Sequence, residues 1–296
     1  MKSILTLIRP RQWVKNLFLF APLIFSKHLF EEGFLATEAL GFVVFCLLSS
    51  TVYVINDIAD READKLHPVK RSRPIASGHI SPRRGLGIAL VLFSWAAAIG
   101  IFLNGPFQIA ALLYLVLNVL YSVLLKHVIL VDVFVIAAGF MLRVLAGAFV
   151  IQVEVSHWLV LCTLFVSLFL AVSKRRGELF LVQQSNETAG REVLREYDVA
   201  FIDQMITITA SGMAISYALY TVAERTVMIF KTENLIFTTV FVLFGIFRYL
   251  YLVKKKKTDD NPTLILLGDS VMMMNIAAWF VSCIVIIYSA ELKSLF

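Results

Sequence analysis

Three aspartates stand close together in the run Asn56-Asp57-Ile58-Ala59-Asp60-Arg61-Glu62-Ala63-Asp64. Asp57, Asp60 and Asp64 fall at i, i+3 and i+7, so a helix running through the segment carries all three on one face. Three carboxylates on one stripe repel one another unless a cation lies between them. Hard oxygen donors of this kind select Mg2+ or Mn2+ over softer metals, and Mg2+ held by carboxylates completes its shell with water and substrate phosphates. The plainer alternative is a solvated helix end with scattered acids. A few residues on comes His67-Pro68-Val69-Lys70-Arg71-Ser72-Arg73-Pro74, in which Lys70, Arg71 and Arg73 lie between two prolines and are expected on a loop. Acids that hold a metal beside bases that grip free oxygens suit a diphosphate. Topogenic charge alone is the alternative for the bases.

Further charged groups are candidates for the same face. Ser173-Lys174-Arg175-Arg176-Gly177-Glu178 opens a second charged stretch that closes at Glu196-Tyr197-Asp198; Lys174, Arg175 and Glu178 are candidates to project toward the first, with topogenic charge the stronger alternative here. The N-terminal Arg9-Pro10-Arg11-Gln12-Trp13-Val14-Lys15-Asn16 adds cations, with Trp13 readable as an interfacial anchor. Lys126 precedes an apolar stretch that contains Asp132 and Arg143, 11 residues apart and so on one helix face. Ionisable groups inside a membrane are costly and usually face an interior cavity; a structural ion pair, with another helix or between the two, is the alternative here. No Ser-His-Asp pattern, Walker loop or His/Cys metal cluster is present in the sequence, and the five histidines are dispersed.

The chain carrying these groups is 59% hydrophobic and 16% charged, with mean hydropathy +0.82, against about 45–50% and about 25% for soluble domains. The apolar residues come in continuous blocks rather than alternating tens, which excludes a β-barrel and implies helices of about 20 residues each. The spans read as about 14–30, 36–55, 85–103, 107–125, 129–150, 157–173, 204–223, 234–253 and 267–289. The first contains Pro22 and is short. The expected fold is therefore all-α: a single domain over 1–296, a bundle of nine transmembrane helices with two long cytoplasmic loops at about 56–84 and 174–203. With the N-terminus inside, 21 of the 27 Lys and Arg fall on cytoplasmic segments, among them Arg191, Arg195 and Lys254 to Lys257, whereas Lys27, Arg225, Lys231 and Lys293 lie outside. That agrees with the positive-inside rule and an odd number of spans. The formal charge of +6 is thus topogenic, and no nucleic-acid-binding motif accompanies it. Cys46, Cys162 and Cys283 each sit in an apolar stretch with no ligand spacing, which reads as small buried hydrophobes. No cleavable signal pattern follows Arg9, Arg11 and Lys15.

The Asn-Asp-x-x-Asp-x-x-x-Asp pattern at the end of the second span resembles that of the UbiA-type superfamily of intramembrane prenyltransferases. Arg9 to Asn16, Asp64 to Pro74, Leu125-Lys126-His127 with Asp132, Gly139-Phe140 with Arg143 and Ala146-Gly147, and Lys174-Arg175 with Glu178 look like the decaprenyl-phosphate phosphoribosyltransferase branch. The resemblance covers residue 9 to about 200; beyond 204 only the hydropathy and the Arg248-Tyr249 region fit. The aromatic-prenylating branch carries a second Asp-rich motif, where this chain has Lys174, Arg175 and Arg176.

The resemblance implies Mg2+ (or Mn2+) on Asp57, Asp60 and Asp64 and transfer of the 5-phosphoribosyl group of phosphoribosyl pyrophosphate to a polyprenyl phosphate, for cell-envelope polysaccharide synthesis. The competing reading is prenyl transfer from a prenyl diphosphate to an aromatic or other small acceptor; a transporter is a third. The candidate catalytic set is Asp57, Asp60, Asp64 and Lys174. The candidate substrate and phosphate ligands are Lys15, Asn16, Asn56, Lys70, Arg71, Arg73, Lys126, Arg143, Arg175, Glu178 and Tyr197. Expected partners are membrane lipids and the two substrates, with a homo-oligomer left open, in a bacterial plasma (inner) membrane with the N-terminus and active-site loops cytoplasmic.

Overall fold

Long apolar blocks in lipid leave the backbone no solvent to bond to, so they must satisfy it internally as helices. In the computed structural model, which describes residues 2–66, 69–185, 197–255 and 262–289, every regular element among the described residues is helical. His67, Pro68, Arg191, Arg195, Glu196, Lys256, Lys257 and Lys293 lie outside the described residues. Among the described residues, eight helices are long and apolar enough to cross a membrane. They match all but the first of the spans read from sequence. Residues 10–25 instead form a 3-10 helix, Pro10–Leu19, followed by the short α2, Phe20–Phe25, after a first helix α1, Lys2–Ile8. Pro10 and Pro22 explain the break, since neither can donate a backbone hydrogen bond.

The chain divides into two compact units, Met1–Val155 and Ser156–Phe296. In the first unit, α3 (Phe34–Ala59) and α7 (Val131–Val150) are the central pillars; 61% of each span is buried, against 17% for α5 (Pro82–Gly100) and 28% for α6 (Gly105–Val123). Membrane helices gain nothing from hiding apolar groups from lipid, so close approach at small residues drives their packing. Gly147 on α7 shows it: a Cβ there would sit 2.0 Å from the Leu19 carbonyl oxygen, so only glycine lets the 3-10 segment lie this close. Asn104 caps α6 through the Phe107 amide (3.0 Å) and donates to the carbonyls of Phe149 and Val150 (2.7 and 3.1 Å), tying the start of α6 to the end of α7.

The second unit holds α8 (His157–Ser185), α9 (Val199–Val222), α10 (Glu224–Phe230), α11 (Thr239–Lys255), α12 (Pro262–Leu267) and α13 (Ser270–Ile287). Gly212 of α9 faces Phe165 of α8, where a Cβ would meet the ring at 2.3 Å. The Tyr217 hydroxyl joins three helical segments, bonding Thr238 (2.6 Å) and accepting from the Trp279 indole (2.9 Å). The cysteines are free, with Cys46 and Cys283 buried and Cys162 half-buried.

Candidate functional site

The acidic run begins on one of the two most buried helices of the first unit and leaves it through a sharp turn. Asn56 and Asp57 belong to the last turn of α3; Asp60 breaks the helix, and α4 (Arg61–Leu66) starts at once. The ladder carries across the break, since the Asp60 amide reaches the Asn56 carbonyl and the Asp64 amide the Asp60 carbonyl, both at 2.8 Å. Asp57 and Asp64 are buried, and Asp60 is nearly so.

Three cations meet these three acids. Arg73 Nη1 bridges Asp64 Oδ2 at 2.6 Å and Asp57 Oδ1 at 3.2 Å. Arg9 Nη2 donates to the same Asp57 oxygen at 2.5 Å, and its guanidinium lies 5.0 Å from the Tyr53 ring centroid. Buried Lys126 pairs with Asp60 Oδ1, while Asn56 Nδ2 donates to Asp60 Oδ2 at 2.9 Å. The chain turns are built to deliver these side chains. Arg9 adopts a left-handed conformation (φ 51°, ψ 60°) between α1 and Pro10, which costs an L residue about 1–2 kcal/mol. Burial pulls the Arg9 guanidinium below its ordinary pKa, and the facing Asp57 carboxylate acts against that pull. Arg73 follows a 3-10 turn, Lys70–Ser72, in extended conformation. Lys126 sits on another such turn, Leu125–His127, between α6 and α7.

A metal's fit to this cluster can be judged from the donors. Six hard carboxylate oxygens are gathered, and Asp57 Oδ2 is buried with no hydrogen-bond partner. That chemistry suits Mg2+ or Mn2+. Among the described residues, no three His, Cys, Asp or Glu side chains converge as a metal's ligands do; here the acids are spaced by guanidinium and ammonium groups.

Deeper in the same unit lies a second group. Arg143 is 5% exposed; its Nε donates to Asn16 Oδ1 (2.7 Å), Nη1 to the Gly139 carbonyl (2.8 Å) and Nη2 to the Tyr114 hydroxyl (2.8 Å). Asn16 is fully buried and also donates to Ser49 and Cys46, both at 3.3 Å. Trp13 is not merely an interfacial anchor: its indole donates to Ser50 at 3.0 Å.

The structure thus brings together Asn56, Asp57, Asp60, Asp64, Arg73 and Lys126, and separately Asn16 and Arg143 with half-buried Lys15 nearby. The alternative of an Asp132–Arg143 ion pair is not made: Asp132 is buried on the same helix, but none of the Arg143 donors goes to it. Arg71 is exposed, and Lys70 half-buried on a 3-10 turn rather than an irregular loop. In the second unit Lys174, Arg175 and Glu178 do not open a loop; α8 continues through them to Ser185. Helical spacing then pairs Glu178 with buried Arg175 at i−3 and with Lys174 at i−4 (3.7 Å), while Arg176 Nε reaches Asp203 at 2.5 Å. Tyr197 is buried, its ring stacked on Phe201 at 6.4 Å. Arg9 was expected only as an added cation at this face, and Tyr114 not at all. The proline after Arg9 was a usable signal for the first, and an intramembrane hydroxyl in need of a partner for the second.

Comparisons place this architecture. A model of the UbiA prenyltransferase family matches residues 18–277. The chain is 35% identical over 217 residues to a decaprenyl-phosphate phosphoribosyltransferase of Mycolicibacterium smegmatis, covering 72% of this chain and 68% of that one. It is 34% identical over 218 residues to the Mycobacterium tuberculosis protein of the same name, covering 72% of each. In fold it is similar to a UbiA homolog from Archaeoglobus fulgidus bound to GPP and Mg2+, with TM-score 0.73 and 19% identity over 96% of this chain and 99% of that one. With a family match that takes in most of its length, and relatives of one name over nearly three quarters of it, the chain belongs to the UbiA prenyltransferase family.

Proposed function

We propose that this chain is a membrane transferase that moves the 5-phosphoribosyl group of phosphoribosyl pyrophosphate to a polyprenyl phosphate and releases pyrophosphate. The observation that carries the reading is the gathering of Arg9, Arg73 and Lys126 on Asp57, Asp60 and Asp64 at the end of α3. A patch offering both hard acids and cations suits a metal-bound diphosphate. The relatives named decaprenyl-phosphate phosphoribosyltransferase supply the acceptor class.

An oxygen of the lipid phosphate forms a bond to the ribose C1 as the C1–O bond to pyrophosphate breaks, and the bonding pair leaves with pyrophosphate. The phosphate is largely ionised at pH 7, so no strong general base is needed. Asp57, Asp60 and Asp64 would hold Mg2+, with Mn2+ as a substitute, and the metal would offset charge on the departing pyrophosphate. Arg9, Arg73 and Lys126, already held at the acids, would take the free phosphate oxygens and lessen repulsion between two anionic substrates. Lys70, Arg71, Lys174, Arg175, Glu178 and Tyr197 belong to the wider set of proposed contacts. The topology proposed is nine spans, the first over about 14–30, with the N-terminus and both charged segments cytoplasmic. The product would serve cell-envelope polysaccharide synthesis at a bacterial plasma membrane.

The test is incubation of the purified chain with Mg2+, ribose-labelled phosphoribosyl pyrophosphate and polyprenyl phosphate, beside a parallel reaction with geranyl diphosphate and 4-hydroxybenzoate. Label in the lipid phase with stoichiometric pyrophosphate is expected from the first alone. A prenylated aromatic from the second, with no labelled lipid from the first, overturns the reading.

A further inference from the structure

The acids at the end of α3 are matched three to three by cations, but Arg143 is not matched. Each of its bonded acceptors is neutral: an amide oxygen, a backbone carbonyl and a tyrosine hydroxyl. Its guanidinium lies 4.6 Å from the Tyr114 ring centroid and 5.4 Å from that of Phe140. Glu38, the other buried acid near this part of α7, lies against Gly147, and neither of its oxygens has a hydrogen-bond partner. Asp132 makes no contact with Arg143, as described above. A second cation reinforces the imbalance. Lys15 adjoins Asn16, the residue that accepts from Arg143 Nε at 2.7 Å, and among the described residues no ion pair joins it to an acid. An arginine cannot shed its proton to relieve burial, so Arg143 keeps a buried positive charge whose bonded partners are all neutral.

The arrangement is also rigid where a receptor must be rigid. Tyr114 and Asn16 come from different elements and fix two edges of the guanidinium, and Gly139 fixes a third position from the same helix. A guanidinium has five N–H donors, so two are left for a ligand. Lys15 is half-buried and forms the more open side of the pair. A phosphate monoester carries close to two negative charges at neutral pH and presents three acceptor oxygens, which matches two cations and the spare donors. Neither a diphosphate–metal complex nor an apolar chain has that match.

We infer that Arg143 and Lys15 form a phosphate-monoester site, distinct from the acid cluster at the end of α3, in which Tyr114 and Asn16 are positioning residues for the guanidinium. The inference rests on the proposed function only for the source of the monoester. Two sources share this chemistry: the polyprenyl phosphate head group, and the 5-phosphate of the ribosyl donor.

Equilibrium binding to the full chain in lipid nanodiscs separates them without turnover. The probes are polyprenyl phosphate against the uncharged polyprenol, ribose 5-phosphate against ribose, and Mg2+-pyrophosphate as the control for the acid cluster. Arg143→Gln is expected to weaken one of the two monoesters about 10- to 100-fold, the size of one lost charge-assisted hydrogen bond, with pyrophosphate binding unchanged. Arg143→Lys should recover part of that loss. Tyr114→Phe should give a smaller loss on the same probe and none on polyprenol. Loss on polyprenyl phosphate assigns the site to the acceptor, and loss on ribose 5-phosphate assigns it to the donor. If Arg143→Gln does not fold, Lys15→Met and Tyr114→Phe carry the test. Unchanged affinity for both monoesters in folded variants overturns the site. Altered monoester binding in a chain that performs no phosphoribosyl transfer would instead overturn the proposed function and leave the site standing.

Discussion

Asp57 is the residue on which the cluster turns, since Arg9 and Arg73 share one of its oxygens and the other is bare. Asp57→Asn keeps the shape but removes the charge that both guanidinium groups face. Turnover is expected to fall at least 100-fold, and chelation of divalent metal should abolish wild-type turnover until Mg2+ is restored, both read as pyrophosphate release. An Asp57→Asn protein with near wild-type turnover would remove the acids from the mechanism. Arg73 and Asp64 offer a separate check. Mutating each to Ala, alone and together, should reveal a coupling of about 0.5–3 kcal/mol in thermal or denaturant unfolding, the range for partners in one charged network; simple additivity would mean the bridge carries no stability. The acids, Arg73 and Lys126 were legible because residue type and spacing alone mark them. Their partnerships were not, for Arg9 lies 48 residues from Asp57 and Lys126 lies 66 from Asp60. The alternative of an Asp132–Arg143 pair fails for a simple reason. Eleven residues share a helical phase but stand roughly 16 Å apart along the axis, farther than the two side chains can bridge, so Arg143 turns to neighbouring elements.

The long spans follow from hydropathy, and eight of them were legible to within a few residues. Two features of the elements were not. Residues 10–25 are apolar enough to suggest a span, but two prolines and the left-handed Arg9 divide them into a 3-10 helix and a short α2. The basic run at Lys174 looks like a loop because charge there ends the hydropathy. Charge does not end a helix, however, and Glu178 at i+3 and i+4 from Arg175 and Lys174 supports one. Gly147 gives the prediction at this scale. Gly147→Ala would force a Cβ against the Leu19 carbonyl and should destabilise the protein by about 1–3 kcal/mol, as overpacked sites do. Gly87→Ala, with nothing within 4 Å, is the control and should melt like the wild type. Equal melting of the two would mean the 3-10 segment gives way freely.

For the whole molecule, orientation came from counting Lys and Arg rather than from any contact. Reporter fusions after Leu66 and after Gln184 should both report cytoplasm, and one after Glu154 the exterior. An exterior report at 66 would put the acid cluster on the wrong side for a cytoplasmic phosphoribosyl donor. The spans also differ in what covers them: α3 and α7 are mostly buried in protein, whereas α5 and α13 bury only 17% of their spans. Hydropathy could not distinguish these, because lipid and protein interior are equally apolar.

The sequence separations also set a timetable for biogenesis. A chain made from its N-terminus can close a contact only when both ends exist. Arg9 waits for Asp57, and Arg73 follows soon after. Lys126 reaches Asp60 only once α5 and α6 have been made. The bond from Arg143 to Asn16 spans 127 residues and closes last, with α7 in place. The acid end of the first unit is therefore complete while its interior cation site is still missing its arginine. A released chain ending between Lys126 and Arg143 would carry every residue of the acid end and lack the arginine of the interior site.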